Sequence, residues 1–409
     1  MIEPLKSTAG AAALVLMFLG LGACQTARPT GGARGPDFVT LTDPGFIEQW
    51  NFQIQMTGAE TVQSIHLVGD MLHVLTSKNI DHALTAQSGD LRYFNQIAPA
   101  GTPVRGGPVA LDHHLVFVTA DSLEVYNDRG RLEKSIPCDE GVTSGGAAGE
   151  GDTVYIGVGE LNSRLCCMDV SRDVNTTVWE VLTGGRVDGA PATFEKEIYC
   201  GSEDGSVIGV DEDGSTLWPL LDDYKFKTGG PIWADVAADR SGIYAVSGDQ
   251  SLYCIDRSTG HIKWRYFAGT PLQTSPTVTA NTIYLYVPGK GLGAIDKSQT
   301  ITLDSQDAKY PGEEPIHTAR WFAPDAVAFV AQDDQYVYAQ SDSNSLLALD
   351  KQTGDVVFSS RRHDLTSFAV NMKDSMIYAA TASGEVLSIK ADLTPGTIGE
   401  LVWAEPGGR

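Results

Sequence analysis

Carboxylates are the most numerous groups in this chain that could do chemistry. Five of them share one setting. Asp169, Asp211, Asp256, Asp296 and Asp350 each follow a small residue and an aliphatic one and precede a short polar run. A carboxylate can act as a general base or hold a hard cation. One setting repeated five times is instead structural, because Asp bonds its own backbone two residues on and fixes a turn. Other groups fare no better. The eight histidines lack metal-ligand spacing, and His113-His114 falls in the short turn between Val109-Ala-Leu and Leu115-Val-Phe-Val. Asp211-Glu-Asp213-Gly214 begins like a calcium loop but lacks the distal Glu in register. Gly289-Lys-Gly291-Leu-Gly293 is followed by strand-like sequence rather than a phosphate-binding helix, and there is no G-x-S-x-G nucleophile elbow. No catalytic residue and no metal site are assigned.

The repeated Asp leads to the elements around it. Its slot is filled in turn by Thr85, Asn127, Asp169, Asp211, Asp256, Asp296, Asp350 and Lys390, at intervals of 42, 42, 42, 45, 40, 54 and 40 residues. The clearest copy runs from Gly242 to Trp264: apolar runs Ile243–Val246 and Leu252–Ile255 flank Gly248-Asp249-Gln250, and a third run follows Asp256-Arg-Ser-Thr-Gly260. Short β-rich runs bounded by turn residues read as hairpin strands. Several strands per unit at this period predict an all-β, eight-bladed β-propeller of four-stranded antiparallel blades. The blades are expected near 59–98, 102–137, 142–183, 187–221, 228–268, 271–303, 320–362 and 365–394.

Cys254-Ile-Asp256-Arg-Ser-Thr259-Gly260-His-Ile-Lys-Trp264 resembles the tryptophan-docking repeat of the quinoprotein-like, PQQ-type propellers, with degenerate copies at 83–93 and 348–358. That superfamily includes cofactor-dependent dehydrogenases and lipoprotein scaffolds such as the BamB family of outer-membrane β-barrel assembly factors. The resemblance raises one reactive pair, since such dehydrogenases set a vicinal disulfide against PQQ. Cys166-Cys167 does not fit that role. Cys167 aligns with Cys254, Ala294 and Ala348, and Cys200 with Ala245, Ala339 and Ala379, slots for small buried residues. No cofactor is expected, and the alternative reading is a PQQ-dependent or quinoprotein-like oxidoreductase, or an envelope ligand-binding or sensing propeller.

Residues 1–23 read as a signal peptide, with the apolar run Ala9 to Ala23 too short for a membrane span. Leu21-Gly22-Ala23-Cys24 is similar to a bacterial lipobox, which implies lipid attachment at Cys24. Gln25 then favours the outer membrane. Residues 24–37, rich in Gly and Pro, form the lipidated end and a flexible tether reaching at most roughly 40 Å. The propeller is expected over 38–409. A net charge of −23 argues against nucleic acid, which needs a basic surface.

Two features point to function. The acidic, Pro-containing insertion 304–319 accounts for the 54-residue interval and is the expected partner-binding loop, with Asp304, Asp307, Glu313, Glu314 and His317 as its candidate residues. Blade eight lacks an outer Trp strand. Gly45-Phe-Ile-Glu-Gln-Trp50 resembles Gly260-His-Ile-Lys-Trp264 with one residue inserted, so 46–54 is expected to close the ring against 385–390, with 400–403 as the rival. The chain would then enter on the side of the Asp turns, leaving the opposite face, with the insertion, to a partner. The expected whole is a non-catalytic, lipid-anchored scaffold of the periplasmic envelope. It would be a monomer within a complex, with other envelope proteins, among them the barrel-assembly machinery, as its partners.

Overall fold

The computed structural model describes residues 45–393, except 139–140, 143–144, 161, 175, 219–223 and 299–315. They form eight antiparallel sheets of four strands arranged as a β-propeller, with a fifth, parallel strand added to one blade. Each blade runs from its first strand at the centre to its fourth at the rim. Turns between third and fourth strands therefore share one face with those between first and second, and the remaining connections share the other. The core lies in the wedges between blades, as a series of separate apolar clusters.

One cross-strand rung sets the geometry of a wedge. A second-strand Tyr pairs with a small third-strand residue, which pairs with a fourth-strand aromatic: Tyr244–Cys254–Trp264, Tyr155–Cys167–Trp179, Tyr284–Ala294–Trp321. The small residue leaves room for the two rings, which is why Cys, Ala, Gly or Ser stands there in seven blades; blade two, with no ring on either side, has Val125. In seven blades a register shift of one residue precedes the rim aromatic or its substitute. Such a bulge sharpens the local twist and re-aims the next side chain. It turns the ring toward the following blade.

There the ring is latched. Indole Nε1 donates to the carbonyl just after the next blade's Asp slot, from Trp50 to Ala86 at 2.9 Å, Trp179 to Glu212 at 2.8 Å, Trp218 to Arg257 at 2.8 Å and Trp321 to Lys351 at 3.0 Å. Blade two has Lys134 in this place, and its Nζ donates to the Arg172 carbonyl at 2.9 Å. Turn glycines lie flat on the rings: a Cβ on Gly354, at φ +78°, would sit 2.6 Å from Trp321. The Asp slots act as the sequence predicts. Asp256 Oδ1 accepts from the Ser258 and Thr259 amides, and Asp350 Oδ1 from those of Gln352 and Thr353.

The ring closes through its first strand. Phe46–Gln53 pairs antiparallel with Glu385–Ala391, putting Trp50 opposite Ser388 as the rim aromatic of blade eight. Residues 46–54 are the closing segment, and the Ile54 amide extends the ladder to the Gly384 carbonyl. The alternative strand, 400–403, lies outside the described residues.

Candidate functional site

The inserted segment sits differently from expectation. It does not separate blades six and seven. It interrupts blade six between its third strand, Gly291–Asp296, and its fourth, Ala319–Ala323, so Trp321 is that blade's rim aromatic and blade seven begins at Ala326. The insertion thus replaces an Asp turn, and both of its described ends lie on the Asp-turn face. Gly45 enters on this same face, bonded to the Asp392 amide. The expected placement on the opposite face is corrected accordingly.

Losing that turn has local consequences. Asp296 meets Arg320 at 2.6 Å. The neighbouring Lys297 crosses to Asp239 of blade five and donates to the Thr279 carbonyl at 2.8 Å. Among the described residues no turn glycine covers Trp264. Its place is taken by His317, stacked on the indole at 4.1 Å between centroids and 17° between planes. Ile316–His317 holds it there by pairing parallel with the rim strand Ile262–Phe267 of blade five.

His317 is therefore a packing residue, 2% exposed, with its imidazole pushed below its ordinary pKa by burial. It is not a surface contact, which corrects the expectation for this residue. Asp304, Asp307, Glu313 and Glu314 lie outside the described residues, as does Cys24. The sequence shows only a gap, Asp296-Lys-Ser-Gln-Thr300 without the turn Gly of blade five, and nothing in it points to His317 as the residue that fills it.

The residues that could have built a quinoprotein site do not come together. Successive residues of a strand point to opposite faces, so Cys166 packs in the wedge between blades two and three and Cys167 in that between blades three and four. Both thiols are pushed up by burial, to about 12 and about 11, and none of Cys138, Cys166, Cys167, Cys200 and Cys254 is in a disulfide. Raised, buried thiols are poor nucleophiles. Among the described residues no group of His, Cys, Asp and Glu is placed to hold a cation. Three recurring carboxylates instead bind tyrosine hydroxyls of the rungs: Glu197 on Tyr199, Asp239 on Tyr244 and Asp333 on Tyr338. The first two also meet a cation from the next blade, Arg257 and Lys297. The described residues do not fit PQQ.

Comparison with known proteins bears on the whole ring. A family model described as outer membrane protein assembly factor BamB matches residues 127–228 and 225–314. The crystal structure of BamB from Moraxella catarrhalis superposes with a TM-score of 0.62 at 16% identity, over 84% of this chain and 97% of that one. The crystal structure of the computationally designed Ika8 protein superposes at 0.59 and 13% identity, over 81% and 96%. No curated protein sequence matches. In fold the chain is a propeller like that of BamB, and over 127–314 its PQQ-type repeats match the BamB family model.

Proposed function

We propose that this BamB-like propeller of PQQ-type repeats is a non-catalytic scaffold, lipid-anchored through Cys24 on the periplasmic side of a bacterial outer membrane. There it assists outer-membrane protein assembly by docking on the barrel-assembly machinery. The observation that carries the reading is the use made of the reactive side chains. Asp slots fold turns, rung carboxylates hold tyrosine hydroxyls, and thiols fill the small-residue slots. What is left to act is the surface. Gly45, the first described residue, lies on the Asp-turn face, and the turns between second and third strands, on the opposite face, are the surface offered to a partner. The acidic insertion, with Asp304, Asp307, Glu313 and Glu314, offers a second contact to a basic surface.

The test is to pull the lipidated protein down from native membranes after mild crosslinking. The reading predicts barrel-assembly subunits among the co-purified proteins, and their absence would overturn it. A stoichiometric cofactor spectrum after incubation with PQQ and calcium, with dye-linked alcohol oxidation, would establish an oxidoreductase instead.

A further inference from the structure

Blade one departs from the repeat at two of its most buried positions. Two residues before the small rung residue, the other seven blades carry Leu or Val, as Leu165, Leu252 and Val386 do, fully buried. Blade one carries Asp81 there, 0% exposed. On the rung itself six blades carry Tyr and blade two Val116, whereas blade one carries His73, 2% exposed. His73 Nδ1 and Asp81 Oδ2 are 2.9 Å apart, and Asp81 Oδ1 has no protein partner. A buried polar pair of this kind is weak evidence for stability, since apolar residues of similar volume do as well or better. The repeat supplies those residues everywhere else.

A second imidazole completes the arrangement. His66, on the first strand, lies directly opposite His73. Its Nε2 is 3.0 Å from the Ser64 hydroxyl, and its Nδ1 faces Gly107 of blade two so closely that a Cβ there would stand 2.6 Å away. The wedge therefore holds two imidazoles and, from blade one, a single carboxylate. Asp81 also acts on His82 and Tyr93 of blade one and on Tyr126 of blade two, and Tyr126 in turn meets Glu124 of its own blade. Glu124 already accepts from the Ser122 and Ser135 hydroxyls at 2.7 and 2.8 Å.

This wedge is also the one where Tyr93 stands for Trp, so no indole latches it to the next blade. A single amide, Asn95 Nδ2 to the Gly130 carbonyl at 2.8 Å, crosses near that place. An open cleft of about 450 Å³ between Tyr93, Arg92 and Arg129 lies at the rim.

We propose that the boundary between blades one and two is an acid-sensitive seam of the ring, loosened when His66 takes up a proton beside His73 in a wedge to which blade one brings a single carboxylate, Asp81. Burial and the neighbouring His73 hold the His66 imidazole below its ordinary pKa, with Asp81 opposing them. The unfolded chain thus binds this proton first. The contribution of neutral His66 is whole above about pH 6.5 and is lost as pH falls toward the lowered folded value.

The test is amide hydrogen exchange, resolved by blade and corrected for intrinsic rates, on the full chain at pH 7.5 and pH 5. The strands 62–76 and 104–119 should exchange measurably faster at the lower pH, because the opened state takes up the proton that the closed wedge resists. Blades three and four, which contain no histidine, serve as the reference and should stay unchanged. His66→Gln should abolish the difference. Asp81→Asn, which removes the one balancing charge, should move the loosening to higher pH. Equal acceleration in blades three and four, or acceleration that persists in His66→Gln, would overturn the seam, and the His66→Gln result decides even if Asp81→Asn does not fold.

Discussion

Trp264 owes its burial to two unlike neighbours, the Tyr244–Cys254 rung of its own blade and the stacked His317. Its truncation to Ala should cost about 3–5 kcal/mol, in the range for a buried aromatic, read from urea midpoints. Glycine substitution separates two costs of the latch. Gly151 and Gly354 both hold positive φ, but a Cβ meets nothing within 4 Å at the first and the Trp321 ring at the second. Gly354→Ala should therefore lose roughly 1–3 kcal/mol more than Gly151→Ala. Equal losses would mean that the glycine does not serve the ring. His317 adds a pH term. Burial lowers its folded pKa, so its contribution is complete above about pH 6.5 and falls as pH drops from there toward the lowered value. His317→Phe keeps a stacking ring without the proton, and its stability relative to the parent chain should rise between pH 7.5 and pH 5. At this scale the packing roles are legible in the sequence. Cys167, Cys200 and Cys254 align with Ala in other copies, and each is buried. The role of His317 is not legible, because it answers a glycine missing some twenty residues earlier in another part of the blade.

The strand Phe46–Gln53 is the one element on which closure depends. A chain beginning at Thr57 would leave Glu385–Ala391 as an unpaired edge, and open edges recruit other chains. Such a variant should lose its cooperative melt or elute as oligomers on size exclusion. A monomer with an unchanged melting temperature would contradict the closure. Its position is legible because Gly45 to Trp50 repeats Gly260 to Trp264 within one residue. Blade six shows the limit of that method. Its Asp slot and its Trp are 25 residues apart, against 8 in blade five, so the pattern loses Trp321 to the next blade. Three-dimensional pairing to Ala294 recovers it. If His317 stands in for the turn glycine, replacing 297–318 by the eight-residue-spaced Arg-Ser-Thr-Gly turn of blade five should keep stability within about 1 kcal/mol, because a glycine would again cover Trp264. A much larger loss, by thermal melt, would show that the insertion supports the ring in some further way.

As a whole, the molecule spends its sequence on a closed, rigid ring and carries a charge of −23. Repeat counting yields this architecture, since eight units near 42 residues can bury their faces only by closing on one another. Function is less legible for the same physical reason. Repeats constrain what packs, while docking surfaces lie in the turns, where each blade differs. Cys24→Ser should leave folding intact and release the protein from membranes into the soluble envelope fraction, and a variant that stays membrane-bound through salt washing would place the anchor elsewhere. The most direct test of the scaffold role is the folding of new outer-membrane barrels in cells lacking this chain, followed by pulse-labelling and heat-modifiable gel mobility. The account predicts that the folded fraction falls and is restored by the parent chain but not by Cys24→Ser. Barrels that fold at the same rate and to the same extent without the chain would contradict it.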